Sequence, residues 1–76
     1  MSPTIANQII KAVNEAKKKH PLFAEGNLPA AVCLATEELG ETAQAVNDGS
    51  LLRARDEALD TIAVMVRLIE MIDEVL

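Results

Sequence analysis

Apolar residues recur at helical spacing along three stretches of this chain, and nowhere do they alternate with the period of two that a strand requires. In the first stretch Ile5, Ile9, Ala12, Val13 and Ala16 share a face, with Ser2 as cap and Pro3 in the first turn. The run "KKKH" followed by Pro21 ends that helix near Lys18. The segment "HPLFAEGNL" reads as a loop whose Leu22 and Phe23 tuck beneath the helices. A second helix extends from about Pro29 to Asn47. "NDGS" then supplies a stop, a turn and a new start: Gly49 suits a left-handed C-terminal position and Ser50 can cap the third helix. The pattern predicts an all-α fold of three helices over about 3–18, 29–47 and 51–75. The short turn at Gly49 makes the second and third an antiparallel hairpin.

The third helix carries two apolar stripes. Ile62, Val66, Ile69 and Ile72 form one, and Val64, Leu68, Met71 and Val75 form another. A surface helix ordinarily shows a single stripe. Burial on two sides is more than a three-helix chain can offer, so the pattern predicts a homodimer or homotetramer through helix three. A partner helix beyond Leu76 is the plainer alternative. The run "TIAVMVRLIEMI" is broken by Arg67 and Glu70 and is too short to span a bilayer.

Acids interrupt both hairpin helices on their apolar lines. In "EELGE" (37–41), Ala31, Leu34 and Ala45 fall within about 40° of Glu38, and Glu41 about 60° from it. In helix three, Glu57 and Asp60 stand three apart, and Val64, Leu68, Met71 and Val75 continue the Glu57 line within about 40°. Heights along the hairpin also match. Glu41 is eight residues before Gly49 and Glu57 eight after; Glu38 is eleven before and Asp60 eleven after. Both pairs therefore sit roughly 12–16 Å from the turn. Four converging carboxylates repel one another unless something neutralises them. Arg53, Arg55 and Arg67 fall off the shared height or face. Hard oxygen donors with spare coordination positions suit Mg²⁺, with Mn²⁺ as the alternative. A slightly different helix rotation would instead leave a solvated acidic edge.

Composition narrows the partners. Seventy-six residues allow one domain, 1–76, with a modest core. Cys33 is the only cysteine, so no disulfide forms within the chain, and the expected setting is reduced and cytoplasmic. Cys33 reads as a small buried residue beside Ala30, and His20 as an exposed loop residue. "MSPTIANQII" has no signal-peptide character. A net charge of −5 argues against nucleic acid as a partner. A phosphate-bearing molecule remains compatible if divalent cations stand between the two sets of negative charge.

The same residues resemble a known family. "EELGE" is an EExxE and "EALD" (Glu57 to Asp60) an ExxD, with fifteen residues between them. Together with "ATEELGETAQAVNDG" and "DEALDTIAVMVRLIE", they resemble the two core helices of compact MazG-like nucleoside triphosphate pyrophosphohydrolases. That all-α superfamily includes the dimeric dUTPases and phosphoribosyl-ATP pyrophosphohydrolases. The likeness covers roughly residues 30–72. It implies NTP + H₂O → NMP + PPi, with Glu38, Glu41, Glu57 and Asp60 binding Mg²⁺ that bridges a nucleoside triphosphate. Glu37 would orient a ligand or accept a proton from water, and these two roles stay open. Candidates for steadying phosphates are lysines 17–19, Arg53, Arg55 and Arg67, with Lys18, Arg53 and Arg67 first among them, although the commoner reading of each is a plain surface charge. The expected role is clearing non-canonical or surplus (d)NTPs.

The chain also departs from that pattern. Many relatives carry a further helix after the ExxD helix, and dUTPase specificity needs more sequence than is present. Phe23 is the one aromatic residue, so stacking on a base is weak. Two other classes of function therefore stand beside the enzyme: a catalytically weak nucleotide- and metal-binding regulatory module, and a structural helical-bundle interaction protein.

Overall fold

A computed structural model describes residues 3–76; the expected cap Ser2 lies outside them. The described residues form α1 (Pro3–Lys19), a 3-10 turn (Phe23–Gly26), α2 (Leu28–Asn47) and α3 (Leu51–Val75), with no strand among them. Helix boundaries fall within one residue of those the pattern predicts.

Local chemistry accounts for the ends. Asn27 caps α2, its Oδ1 accepting from the Ala30 amide at 2.9 Å, with Pro29 in the first turn. The α2–α3 turn closes with the Ser50 amide on the Ala45 carbonyl (2.9 Å) and the Gly49 amide on Val46 (3.1 Å). This is the paired closure in which a left-handed residue suits glycine, and Gly49 has φ +76°. Ser50 precedes α3, but its side chain makes no cap bond. Its carbonyl instead accepts from the Ala54 amide at 2.8 Å.

Helices α2 and α3 pack as the expected hairpin, and α1 lies against α3. The core is built of small side chains: Ala31 and Ala45 are fully buried, and Ala35, Ala54 and Ala63 nearly so. Small residues let the helix axes approach closely. Val13 of α1 and Leu68 of α3 are also buried. Arg67 is buried too, at 7% exposure; it donates to the Ala16 carbonyl at 3.1 Å and lies 4.6 Å over the Phe23 ring. Gln8 meets Arg55 near the start of the seam and Lys17 pairs with Glu70 at 2.9 Å near its end, so α1 runs parallel to α3.

Three expectations are corrected. Leu22 does not tuck in: it is 80% exposed, because only Phe23 turns back onto Arg67. Cys33 is exposed, not buried. It stands about 160° around α2 from Ala31, facing away from α3. The loop after α1 contains the 3-10 turn, in which Ala24 and Glu25 both have φ +50°. Left-handed backbone is costly for residues with a Cβ, so this turn is strained.

The two stripes of α3 have separate fates. Leu68 is buried and Val64 and Met71 half-buried against the rest of the chain, whereas Val75 is 74% exposed. On the other stripe Val66 is half-buried, and Ile62, Ile69 and Ile72 are exposed. No helix among the described residues is long and apolar enough to cross a membrane.

Candidate metal centre

Glu38 and Glu57 both enter the α2–α3 seam, Glu57 level with Glu41 and Glu38 three residues further from Gly49. Glu38, Glu41 and Glu57 each offer a carboxylate oxygen within 4.8 Å of the others. Glu38 and Glu57 are half-buried, and Glu41 is exposed at the rim. Below them, Thr42 donates to the Glu38 carbonyl (2.9 Å) and Thr61 to the Glu57 carbonyl (2.8 Å). The two hydroxyls face each other at 3.4 Å. The sequence reading missed this threonine floor, although a signal for it is present: a threonine stands four residues after a glutamate in both helices.

Oε2 of Glu38 and Oε2 of Glu57 are buried and have no hydrogen-bond partner. Burial, then the charge of Glu41, pushes the Glu38 carboxyl above its usual range, with Asp60 and Glu37 adding to the rise; hydrogen bonding with Glu57 works the other way. Glu41 is raised by hydrogen bonding with Glu57 and by its charge, while Arg53 pulls it down. Two buried, unpartnered oxygens on adjoining acids are a donor set for a hard cation. The residues present fit Mg²⁺ or Mn²⁺.

Asp60 stands outside the close trio. It is exposed as a residue, and it lines a groove of about 230 Å³ with Glu38, Glu15, Lys19 and His20. Shielding of its carboxyl, then the charge of Asp56, raises it, and Lys19 lowers it. The reason is rotation: Asp60 lies about 60° around α3 from Glu57, towards α1 and not α2. Four acids thus share a height, but three meet.

The other candidates scatter. Glu37 is exposed, and its charge acts on Glu38. Lys18 is exposed in the last turn of α1, while it is Lys19 whose charge reaches Asp60. Arg53 pairs with Asp48 at 3.4 Å and its charge reaches Glu41. Arg67, expected as a phosphate contact, is held inside by Ala16 and Phe23. A second groove of about 240 Å³ also reaches Glu38, with Phe23, Leu34 and Val64 along it and His20 at its edge. No protein-family model, curated protein or solved structure matches this chain.

Proposed function

We propose that this protein is a Mg²⁺-dependent nucleoside triphosphate pyrophosphohydrolase that removes non-canonical or surplus (d)NTPs, as its resemblance to MazG-like enzymes implies. The observation that carries the reading is the pair of buried, unpartnered oxygens on Glu38 and Glu57, with Glu41 within 4.8 Å. An acidic chain has no other evident way to hold a triphosphate against such a cluster.

Glu38, Glu41 and Glu57 would hold the ion, with the threonine floor fixing the two helices beneath them. When bound, a divalent cation neutralises phosphate charge and lowers the pKa of attacking water. The grooves beside Glu38 admit the rest of the ligand. Lys19 on one side and Arg53 on the other are placed to meet phosphate oxygens, since their charges already reach Asp60 and Glu41. Asp60 then receives a proton or orients water in the groove. Glu37, at the exposed edge, is the alternative for that role.

Pyrophosphate release from a panel of NTPs and dNTPs with Mg²⁺, beside an EDTA control and the Glu57→Gln variant, tests this. Metal-dependent release lost in the variant supports the enzyme, and the ranking of the panel names the substrate. The place of Asp60 outside the trio favours one second reading, a module that binds nucleotide and metal without turnover. That reading expects Mg²⁺-dependent protection from heat by nucleotides, with no pyrophosphate. Neither release nor protection would remove both readings.

A further inference from the structure

Among the described residues Arg67 is the only charged side chain that is buried, and no carboxylate pairs with it. A guanidinium carries five N–H donors and no acceptor. One donor meets the Ala16 carbonyl, which the His20 amide already satisfies at 2.9 Å, and the Phe23 ring covers the group. The other donors are not sealed in: the enclosed side-chain atoms without a partner are the oxygens of Glu38 and Glu57 alone. A buried cation in this condition calls for an acceptor from outside the chain.

Two grooves reach it. The wider, of about 500 Å³, is edged by Glu25, Glu70 and Glu74, which repel an anion, and Glu38 does not line it. The narrower, of about 240 Å³, joins Arg67 to Glu38 between Leu34 and Val64. It shares Ala16, His20, Glu38 and Val64 with the groove that holds Asp60 and Lys19, so the two form one channel. Counted from Gly49, Glu38 is eleven residues away and Arg67 eighteen, a difference of about 10 Å along the hairpin. The channel therefore has acids at one end, a cation at the other and apolar walls between them.

We propose that Arg67 reads the base of the nucleotide and selects oxo bases over amino bases. The inference rests on the nucleotide reading above. With phosphates held at the acids and Lys19, one sugar and one base span the rest of the channel and bring the far edge of the base to Arg67. The volume lies below the ~300 Å³ at which sites begin to take drug-sized ligands, so this part of the channel admits a single ring system. A group that only donates hydrogen bonds suits a base edge that only accepts them. The exocyclic oxo group of hypoxanthine or guanine, with the ring nitrogen beside it, matches the guanidinium fork, and the oxo group of uracil matches one arm of it. Adenine and cytosine present an amino group there, which sets donor against donor in a narrow apolar channel. Hydrolytic deamination, in which water replaces the amino group and ammonia leaves, turns adenine into hypoxanthine and cytosine into uracil. The non-canonical nucleotides removed here are thus the deaminated ones, with guanine nucleotides accepted because they share the edge.

Matched pairs test this: ITP against ATP and UTP against CTP in Mg²⁺-dependent pyrophosphate release, and inosine against adenosine monophosphate in binding with Mg²⁺ present, followed by the NMR signals of the Phe23 ring and the Arg67 side chain. Each oxo member should lead its amino partner at least about ten-fold in kcat/KM and in affinity. Arg67→Met keeps the buried stem and removes the donors, while the Ala16 carbonyl retains its bond from His20. In that variant the ratios should fall to within about three-fold of unity, with Mn²⁺ affinity kept. Leu34→Trp, at an exposed position, fills the channel and should abolish binding of inosine monophosphate, so it remains informative if Arg67→Met unfolds. Inosine monophosphate bound ahead of adenosine monophosphate without any pyrophosphate release removes the enzyme and keeps the role of Arg67. Release without preference between oxo and amino bases overturns the inference and leaves the enzyme standing. A preference that survives Arg67→Met, or binding indifferent to Leu34→Trp, also overturns it.

Discussion

Glu38 shows most directly what the acid cluster costs the fold. Its carboxyl is raised by burial and by Glu41, so the folded chain holds its proton more tightly than the unfolded chain. For an acid shifted in this direction, the contribution to stability is complete below the ordinary value of 4.5 and is lost as pH rises through the higher folded value. Without divalent cations, the melting temperature of Glu38→Gln relative to wild type should therefore rise between about pH 4 and pH 7. A difference that stays flat or shrinks over that range would contradict the assignment. Among the proposed ligands, Glu57→Gln should weaken Mn²⁺ binding by at least about ten-fold in titration calorimetry. Asp60→Asn should cost far less affinity while abolishing turnover, because Asp60 stands outside the trio. Equal losses of affinity would return Asp60 to the metal.

The connection between α1 and α2 is the strained element. Ala24 and Glu25 occupy left-handed backbone that glycine adopts at little cost. Ala24→Gly should stabilise the fold by about 0.5 kcal/mol, a rise of roughly 2–4 °C in melting temperature. A fall instead would mean that the Ala24 methyl contributes more packing than its backbone costs. Arg67 holds this connection to α3 through the Phe23 ring and the end of α1. Arg67→Ala removes a stacked cation, a hydrogen bond and a buried stem, and should cost about 2 kcal/mol, or roughly 10 °C. Mn²⁺ affinity should be retained in that variant, which separates a role in pinning the loop from one in binding the ligand.

For the molecule as a whole, a cation that binds the folded chain alone must stabilise it by mass action. At a concentration one hundred times its dissociation constant, Mg²⁺ should add about 2.7 kcal/mol. The rise in melting temperature should saturate with Mg²⁺, be reversed by EDTA, and be absent in Glu57→Gln. A rise of the same size with Na⁺ at matched ionic strength would indicate simple screening of a chain with net charge −5.

The three helices, their ends and the hairpin are legible in the sequence, because periodicity, caps and a left-handed glycine act over a few residues. The matched heights of Glu38, Glu41, Glu57 and Asp60 are legible for the same reason: a short turn ties position in sequence to position along the axis. What pattern alone does not fix is the rotation of each helix about that axis, which depends on how the small alanines of α2 and α3 interlock and on where α1 docks. A rotation of about 60° separates Asp60 from the other acids, and the facing of α2 leaves Cys33 outside. The docking of α1 likewise buries Arg67 against the Ala16 carbonyl and the Phe23 ring. Local pattern thus specified the elements and the level of the site, while packing between distant segments selected the three carboxylates that meet there.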